Sequence, residues 1–193
     1  MKERALFLDR DGVICHMVKY PNGFDSPQRV EDVRLVEDIE NVIRLAKSKG
    51  WKAIEISNQP GIAKGKQTPQ LAAAIEARVH NLLKEADVNV DATYICQHHP
   101  QGIVATLAIE CDCRKPKPGL LLKAAQDHNI DLAASIFYGD KASDVQASMV
   151  AGCKSMILLH TEDIPEKVLE AQNAQADFKV KTHKEACGII SRL

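Results

Sequence analysis

Short β-type runs alternate with helix-type patterns along this chain, and that alternation restricts the fold more than any other feature. The runs typical of strands are ALFLD, WKAIEIS, ATYIC, SIFYGD and SMILL, with ADFKV near the end. Between them, apolar residues recur every three or four positions, which is the spacing of a helix with one buried face. Strands separated by helices of ten or more residues form βαβ units. We therefore predict an α/β fold, a three-layer αβα Rossmann-like domain with a parallel sheet.

Several helix boundaries are marked by residues with known preferences for helix ends. Apolar residues at helical spacing over 36–46 are followed by Gly50, which predicts the end of a first helix. Thr68 and Pro69 predict the N-cap and first turn of a second helix, with Leu71, Ile75, Val79, Leu82 and Ala86 as its buried face. Further helices are predicted over 118–128, 142–151 and 184–191, and residues 160–175 receive no assigned element.

Composition restricts the class of protein. A chain of 193 residues with 45% hydrophobic and 26% charged residues is typical of one globular domain, which we place over residues 1–193. A formal net charge of −1 does not favour nucleic acid or a membrane surface as a partner. There is no apolar run of ~20 residues, and the first apolar run is too short for a secretory signal. We expect a cytoplasmic monomer.

Polar side chains of catalytic type follow three of the predicted strands. Ligands of parallel sheets bind beyond the carboxyl ends of the strands, so we expect these side chains to meet. Singly, the acids also fit a solvated turn or a helix N-cap; their joint occurrence favours a site in which close carboxylates share a cation. An oxygen-only ligand set suits Mg²⁺. The residues are Asp9 with Asp11, Ser57 with Asn58, and Asp140 with Lys141 and Asp144.

Two further segments supply groups that suit phosphate chemistry. The amides of the ISNQPG loop and the hydroxyl of Ser57 are able to cradle phosphate oxygens, although an ordinary loop has the same composition. Arg114 and Lys115 are able to offset phosphate charge in a transition state, although such pairs usually lie on solvated faces.

The cysteines near the middle of the chain have the spacing of a metal site. Cys96 and His98 form one pair, Cys111 and Cys113 another, and twelve residues separate the pairs. Three thiolates and one imidazole suit tetrahedral Zn²⁺, and four protein ligands leave no position for water, so the site is predicted to be structural. A reducing compartment disfavours a disulfide. His99 remains the alternative to His98. The other cysteines, Cys15, Cys153 and Cys187, are predicted to pack in the interior.

Four segments in order, DRDG, the strand-end SN, RKP and GDKASD, resemble the signature of the haloacid dehalogenase (HAD) superfamily of phosphohydrolases. The resemblance is closest to the D-glycero-D-manno-heptose-1,7-bisphosphate 7-phosphatase and histidinol-phosphatase families, which share FLDRDGV, NQxGIAxG and a zinc loop ending CxCRKPxPG. It covers roughly residues 5–160, and the joint occurrence of these motifs is highly specific.

This resemblance implies a role for each matching residue. Asp9 is the nucleophile that forms an aspartyl-phosphate, and Asp11 is the general acid and base. Mg²⁺ is held by Asp9, the backbone carbonyl of Asp11, and Asp140. Ser57 and Lys115 stabilise the transferring phosphoryl group, and Asp144 acts through its neighbours. The implied substrate-binding residues are Asn58, Gln59, Arg114 and Lys141, and the implied zinc ligands are Cys96, His98, Cys111 and Cys113.

The expected function is a Mg²⁺-dependent phosphomonoester hydrolase that removes the 7-phosphate of D-glycero-D-manno-heptose 1,7-bisphosphate, in a lipopolysaccharide precursor pathway. The alternatives are a phosphatase for histidinol phosphate or another small sugar phosphate, and an inactive zinc-stabilised binding module. Lys64 and Lys66 would serve a second phosphate or only solvate a loop. The chain leaves no room for an inserted cap, so we expect a capless enzyme. Compared with the heptose families, the segment after Asp11 is longer, Ser57 replaces the common Thr, and Pro60 replaces a small hydroxyl residue.

Overall fold

The computed structural model describes residues 2–159 and 165–193, and six parallel strands in the order β5–β4–β1–β6–β7–β8 form its central sheet. A separate antiparallel pair joins β2 and β3. The strands are β1 Ala5–Leu8, β2 Val18–Tyr20, β3 Gly23–Asp25, β4 Lys52–Asn58, β5 Ala92–Cys96, β6 Ile136–Gly139, β7 Lys154–Leu158 and β8 Phe178–Val180. The helices are α1 Ile39–Ser48, α2 Pro69–Glu85, α3 Gly119–Asp127, α4 Ala142–Ala151, α5 Pro165–Asn173 and α6 His183–Ser191.

Two apolar cores lie on opposite faces of the sheet. In β1, Leu6 and Leu8 join one core and Phe7 joins the other, because successive side chains of a strand point to opposite faces. The first core contains buried residues of α1, α2 and α6, and the second contains residues of α3 and α4. Helices thus cover both faces, and the predicted three-layer αβα fold is confirmed.

The segment just after β1 has no element predicted from the sequence, but part of that segment is a hairpin. Residues 18–25 form the β2–β3 hairpin, in which Tyr20 pairs with Gly23 across a two-residue turn. Gly23 has a φ of 107°, a conformation that favours glycine. Each strand has only three residues, too few for an alternating pattern to be recognised. The described residues between β1 and β4 contain this hairpin, one short 3₁₀ turn and α1, so they hold no cap domain.

Two helices also need correction. Helix α5 occupies part of the segment that received no element. In α2, Leu83 is buried along with Ile75 and Val79, whereas the predicted Leu82 is only partly buried. Leu83 lies four residues after Val79 and so continues the same buried stripe. Within the described part of the chain, no helix is long and apolar enough to cross a membrane.

Candidate active site

The sheet order brings the polar strand ends together. Strands β4, β1 and β6 are neighbours and run parallel, so their carboxyl ends meet at one edge. Asp9 directly follows β1, Ser57 lies at the end of β4, and Asp140 directly follows β6. These three residues are buried. The convergence expected from the sequence therefore exists in the structure.

Asp9 is held by a buried lysine. Lys115 Nζ lies 2.8 Å from Asp9 Oδ1 and 2.8 Å from Asp144 Oδ1, and it donates a hydrogen bond to the Ile56 carbonyl at 3.0 Å. Burial alone would raise the pKa of Asp9, but the charges of Lys115 and Lys141 outweigh it and hold that pKa below its usual value. Asp9 is therefore an ionised carboxylate in a site from which water is largely excluded.

The ammonium of Lys141 lies among the three oxygen groups predicted to bind Mg²⁺. Its Nζ is 3.2 Å from Asp140 Oδ1 and 3.5 Å from Asp9 Oδ2, and it donates to the Asp11 carbonyl at 3.3 Å. The three groups thus surround one cation. The Lys141 side chain is partly exposed, so its ammonium is able to move out into solvent.

Asp144 connects this cluster to the start of α4. Its Oδ2 accepts hydrogen bonds from the backbone N–H groups of Asp140 at 3.2 Å and Lys141 at 3.0 Å. Burial raises the pKa of Asp144 to about 6 and also raises the pKa of Asp140. Asp9, Asp140 and Asp144 each offer an oxygen, and these oxygens lie within 4.8 Å of one another. Three buried carboxylates this close repel one another unless cations separate them, so the cluster fits a hard divalent cation.

Asp11 is oriented by three side chains, two of which sequence reasoning missed. Its Oδ2 accepts hydrogen bonds from Gln59 Nε2 at 2.5 Å and Ser26 Oγ at 2.8 Å. Arg10 Nη2 lies 3.3 Å from the same oxygen, and Arg10 Nε lies 3.3 Å from Oδ1. Gln59 also donates to Ser57 Oγ at 2.8 Å. Ser26 follows the unpredicted hairpin, which is why its contact was missed.

Asn58 and Arg114 contact the chain itself. The Asn58 side chain accepts from the Lys115 N–H and donates to the Lys115 carbonyl, both at 3.1 Å. It therefore fixes the backbone of the lysine that holds Asp9. Arg114 Nη1 donates to the His98 carbonyl at 3.2 Å. The substrate contacts expected of Asn58 and Arg114 stay predictions.

The four predicted zinc ligands form one cluster. The Cys113 sulfur lies 3.2 Å from those of Cys96 and Cys111 and 3.3 Å from His98 Nδ1; the Cys96 sulfur lies 3.6 Å from Cys111 and 3.9 Å from His98 Nδ1. Ligands 2.3 Å from a tetrahedral Zn²⁺ would be about 3.8 Å apart, so the arrangement fits that ion. His99 lies outside the cluster, and its Nδ1 accepts a hydrogen bond from the Gln101 N–H.

The remaining predicted residues lie near the hairpin or in the core. Lys66 pairs with Asp25 of β3, and Gln67 Nε2 donates to the Pro27 carbonyl at 3.0 Å, so the loop after β4 is tied to the hairpin segment. Lys64 is exposed. As predicted, the other cysteines pack with apolar residues: Cys15 and Cys153 are buried and Cys187 is half-buried.

Comparison with known proteins identifies relatives over most of the chain. Residues 112–186 match a family model described as "HAD-hyrolase-like". The chain is 39% identical over 160 residues to D-glycero-beta-D-manno-heptose-1,7-bisphosphate 7-phosphatase of Helicobacter pylori, covering 81% of this chain and 83% of that protein. It is 36% identical over 157 residues to the protein of that name from Escherichia coli K12, covering 81% and 79%.

Solved structures with the same fold include two that are described as phosphatases. A protein from Mesorhizobium loti described as a HAD-like phosphatase superposes with a TM-score of 0.82 at 30% identity, covering 98% of this chain and 85% of that chain. The D,D-heptose 1,7-bisphosphate phosphatase of B. bronchiseptica, solved with magnesium and phosphate, superposes with a TM-score of 0.79. At 24% identity and 98% coverage of both chains, that second likeness shows the fold.

A parallel sheet that gathers two aspartates, a lysine and a second acidic strand end at one edge defines a HAD-like phosphatase. More closely, the chain belongs to the family of D-glycero-beta-D-manno-heptose-1,7-bisphosphate 7-phosphatases. The resemblance stated from the sequence motifs is thereby confirmed.

Proposed function

We propose that this enzyme removes the 7-phosphate of D-glycero-β-D-manno-heptose 1,7-bisphosphate. Relatives that are 35% to 39% identical over about four fifths of the chain carry that activity in their names. The observation that carries the chemistry is the buried carboxylate of Asp9, which Lys115 and Lys141 keep ionised at the end of the central strand. We also propose that residues 1–193 act as one phosphatase domain.

The reaction follows from the placement of Asp9 and Asp11. A carboxylate oxygen of Asp9 attacks phosphorus while the bond from phosphorus to the sugar oxygen breaks, and protonated Asp11 gives its proton to that oxygen. Water then attacks the phosphorus of the aspartyl-phosphate and gives a proton to Asp11, which releases inorganic phosphate and restores Asp9. In the structure, Ser26, Gln59 and Arg10 contact the Asp11 side chain and orient it beside Asp9.

Mg²⁺ is the proposed catalytic cofactor. Asp9, Asp140 and the backbone carbonyl of Asp11 would hold it, since these are the oxygen groups that converge on one cation in the structure. Bound there, the ion would reduce the repulsion between an anionic nucleophile and an anionic phosphoryl group. Asp144 braces Asp140 and Lys141 through their backbone N–H groups, so its role is to orient the ligands.

Zn²⁺ is the proposed structural cofactor of the loop closed by Cys96, His98, Cys111 and Cys113. The loop ends immediately before Arg114 and Lys115, so a rigid metal site would fix where the active-site lysine enters. Asn58 fixes the same backbone from the other side. We therefore propose that this zinc positions Lys115 and takes no part in bond making.

The activity is tested by measuring phosphate release with Mg²⁺ from the heptose bisphosphate, histidinol phosphate and simple sugar phosphates. The heptose bisphosphate is expected to be the best substrate, and Asp9→Asn is expected to lose activity by on the order of 10³-fold or more. Lys123→Met, which alters an exposed ion pair with Asp127, is the control and should keep full activity. Equal rates for Asp9→Asn and wild type would refute the mechanism. Preference for histidinol phosphate would refute the heptose assignment alone.

A further inference from the structure

A second group of ionisable side chains lies between β4 and α2, next to Arg10 but outside the carboxylate cluster of the active site. Glu55 lies in the middle of β4 and is completely buried, with a side-chain exposure of 0%. Glu76 and His80 lie one turn apart on α2 and face it. Thr93 of β5 is the register partner of Glu55, so it lies beside the group.

Among the described residues, three of the four carboxylate oxygens in this group accept no hydrogen bond. His80 Nε2 is 3.0 Å from Glu76 Oε1 and 3.6 Å from Glu55 Oε2, but its hydrogen bond is made with Thr93 Oγ1 at 3.1 Å. Among the described residues, both oxygens of Glu55 and Oε1 of Glu76 have no hydrogen-bond partner. Most buried side-chain polar atoms have a hydrogen-bond partner, so three oxygens without one in a single cluster need an explanation.

The charges around the cluster also favour a bound cation. Glu76 Oε2 is paired with Arg10 Nη1 at 2.8 Å, but Arg10 also contacts both oxygens of Asp11. One guanidinium therefore serves two carboxylates, and His80 is the nearest cation to Glu55. Burial raises the pKa of Glu55 to about 7, and the two glutamates raise the pKa of His80 to about 10. A protonated His80 supplies a positive charge beside the two carboxylates, and a metal ion bound to His80 would replace that proton and supply the charge instead.

We propose that Glu55, Glu76 and His80 bind a divalent transition-metal ion of the Zn²⁺ or Mn²⁺ class, at a site separate from both the zinc loop and the active site. One atom of each residue lies within 4.8 Å of the others. Ligands about 2.0–2.1 Å from a tetrahedral ion would be about 3.4 Å apart, between the two distances measured from His80. Two carboxylates and an imidazole are ligands that these ions accept.

The site is accessible and is connected to the catalytic residues. His80 is 41% exposed, so an ion reaches the site from solvent, and water is able to fill the remaining positions. Glu76 holds Arg10, and Arg10 holds Asp11. A bound ion would therefore fix Glu76 and, through Arg10, the orientation of the general acid. Glu76 and His80 are positioning residues in this arrangement, since neither touches the reacting atoms.

The test is a count of bound Zn²⁺ in the purified enzyme, with Mg²⁺ in excess so that the active site is filled. Wild type is expected to hold about one ion per chain more than Glu55→Gln or His80→Ala. Glu85→Gln, a surface substitution on the same helix that removes an ion pair with Arg78, is the matched control and should hold as many ions as wild type.

A double substitution distinguishes an ion bound at Glu55 from an ion bound in the zinc loop. Cys111→Ser together with Glu55→Gln should lose about one ion more than Cys111→Ser alone. His80 is partly exposed, so His80→Ala is expected to fold even if Glu55→Gln does not. The ion count of His80→Ala then tests the proposal by itself. Equal zinc content in wild type, Glu55→Gln and His80→Ala overturns the proposal, as does an equal loss in Glu85→Gln. None of these counts depends on phosphatase activity, so they stand or fall separately from the proposed function.

Discussion

Gly12 lies so close to the Asp140 carboxylate that the site has no room for a side chain at position 12. Its φ is 99°, and a Cβ placed there would lie 2.2 Å from Asp140 Oδ2 and 2.6 Å from Asp140 Cγ. Gly12→Ala must therefore displace Asp140 from the carboxylate cluster. A displacement of about 1 Å at such a site lowers rates by on the order of 100-fold, so we expect at least that loss in kcat/KM, with a higher Mg²⁺ requirement. Steady-state kinetics across a Mg²⁺ series measure both.

The control for backbone strain is Gly50→Ala. Gly50 has a φ of 77°, but a Cβ there meets no atom within 4 Å. This variant should lose stability by about 1 kcal/mol while its kcat/KM remains that of wild type. If Gly12→Ala kept the kinetics of wild type and lost only stability, as expected of Gly50→Ala, the position of Asp140 would not affect catalysis.

Lys141 is the second residue whose position leads to a prediction. Its ammonium lies among the oxygens of Asp9, Asp140 and Asp11, the position proposed for Mg²⁺. Lys141→Met removes the competing cation, so half-maximal activity should need less Mg²⁺, by about tenfold if ~1.4 kcal/mol of repulsion is lost. The same change should raise KM, because Lys141 is a predicted substrate contact. An unchanged or higher Mg²⁺ requirement would contradict this account.

At the level of secondary-structure elements, the proposed zinc loop and β4 both adjoin Lys115. Cys96 ends β5, Cys113 lies two residues before Lys115, and Asn58 of β4 binds the Lys115 backbone. Cys111→Ser should lower the zinc content, the melting temperature and kcat together, because a loosened loop no longer fixes Lys115 against Asp9. Metal analysis, thermal unfolding and kinetics on one preparation test this.

Cys187→Ser serves as the control for loss of a thiol, since Cys187 is half-buried on α6 and packs against the core. It should keep the zinc content and kcat of wild type. A Cys111→Ser enzyme that loses zinc yet keeps wild-type kcat would show that the loop does not position Lys115.

Sequence reasoning succeeded where a signal was long or chemically specific. Strands β1, β4 and β6 were identified because each is an apolar run that ends in polar residues, and Thr68–Pro69 marked the start of α2 within one residue. The hairpin was missed because three-residue strands carry too little pattern. Ser26 and Arg10 were missed as supports of Asp11 because their contacts depend on how the hairpin and the turn after β1 fold back.

At the scale of the whole molecule, the order of the strands decides what the site contains. Asp9, Ser57 and Asp140 lie far apart in sequence, and only the pairing of β1 with both β4 and β6 makes them neighbours. The motifs indicated this meeting point before the structure did. Glu55 gave no such indication, because a glutamate within an apolar strand becomes unusual only once its complete burial is known.

The substrate assignment is a claim about the whole enzyme, and the position of the phosphate that it removes tests it most directly. D-glycero-β-D-manno-heptose 1,7-bisphosphate incubated with the enzyme and Mg²⁺ is followed by phosphorus NMR. The 7-phosphatase assignment predicts loss of the 7-phosphate signal, growth of the inorganic phosphate signal and retention of the 1-phosphate signal. Retention of both ester signals, or loss of the 1-phosphate first, would contradict it.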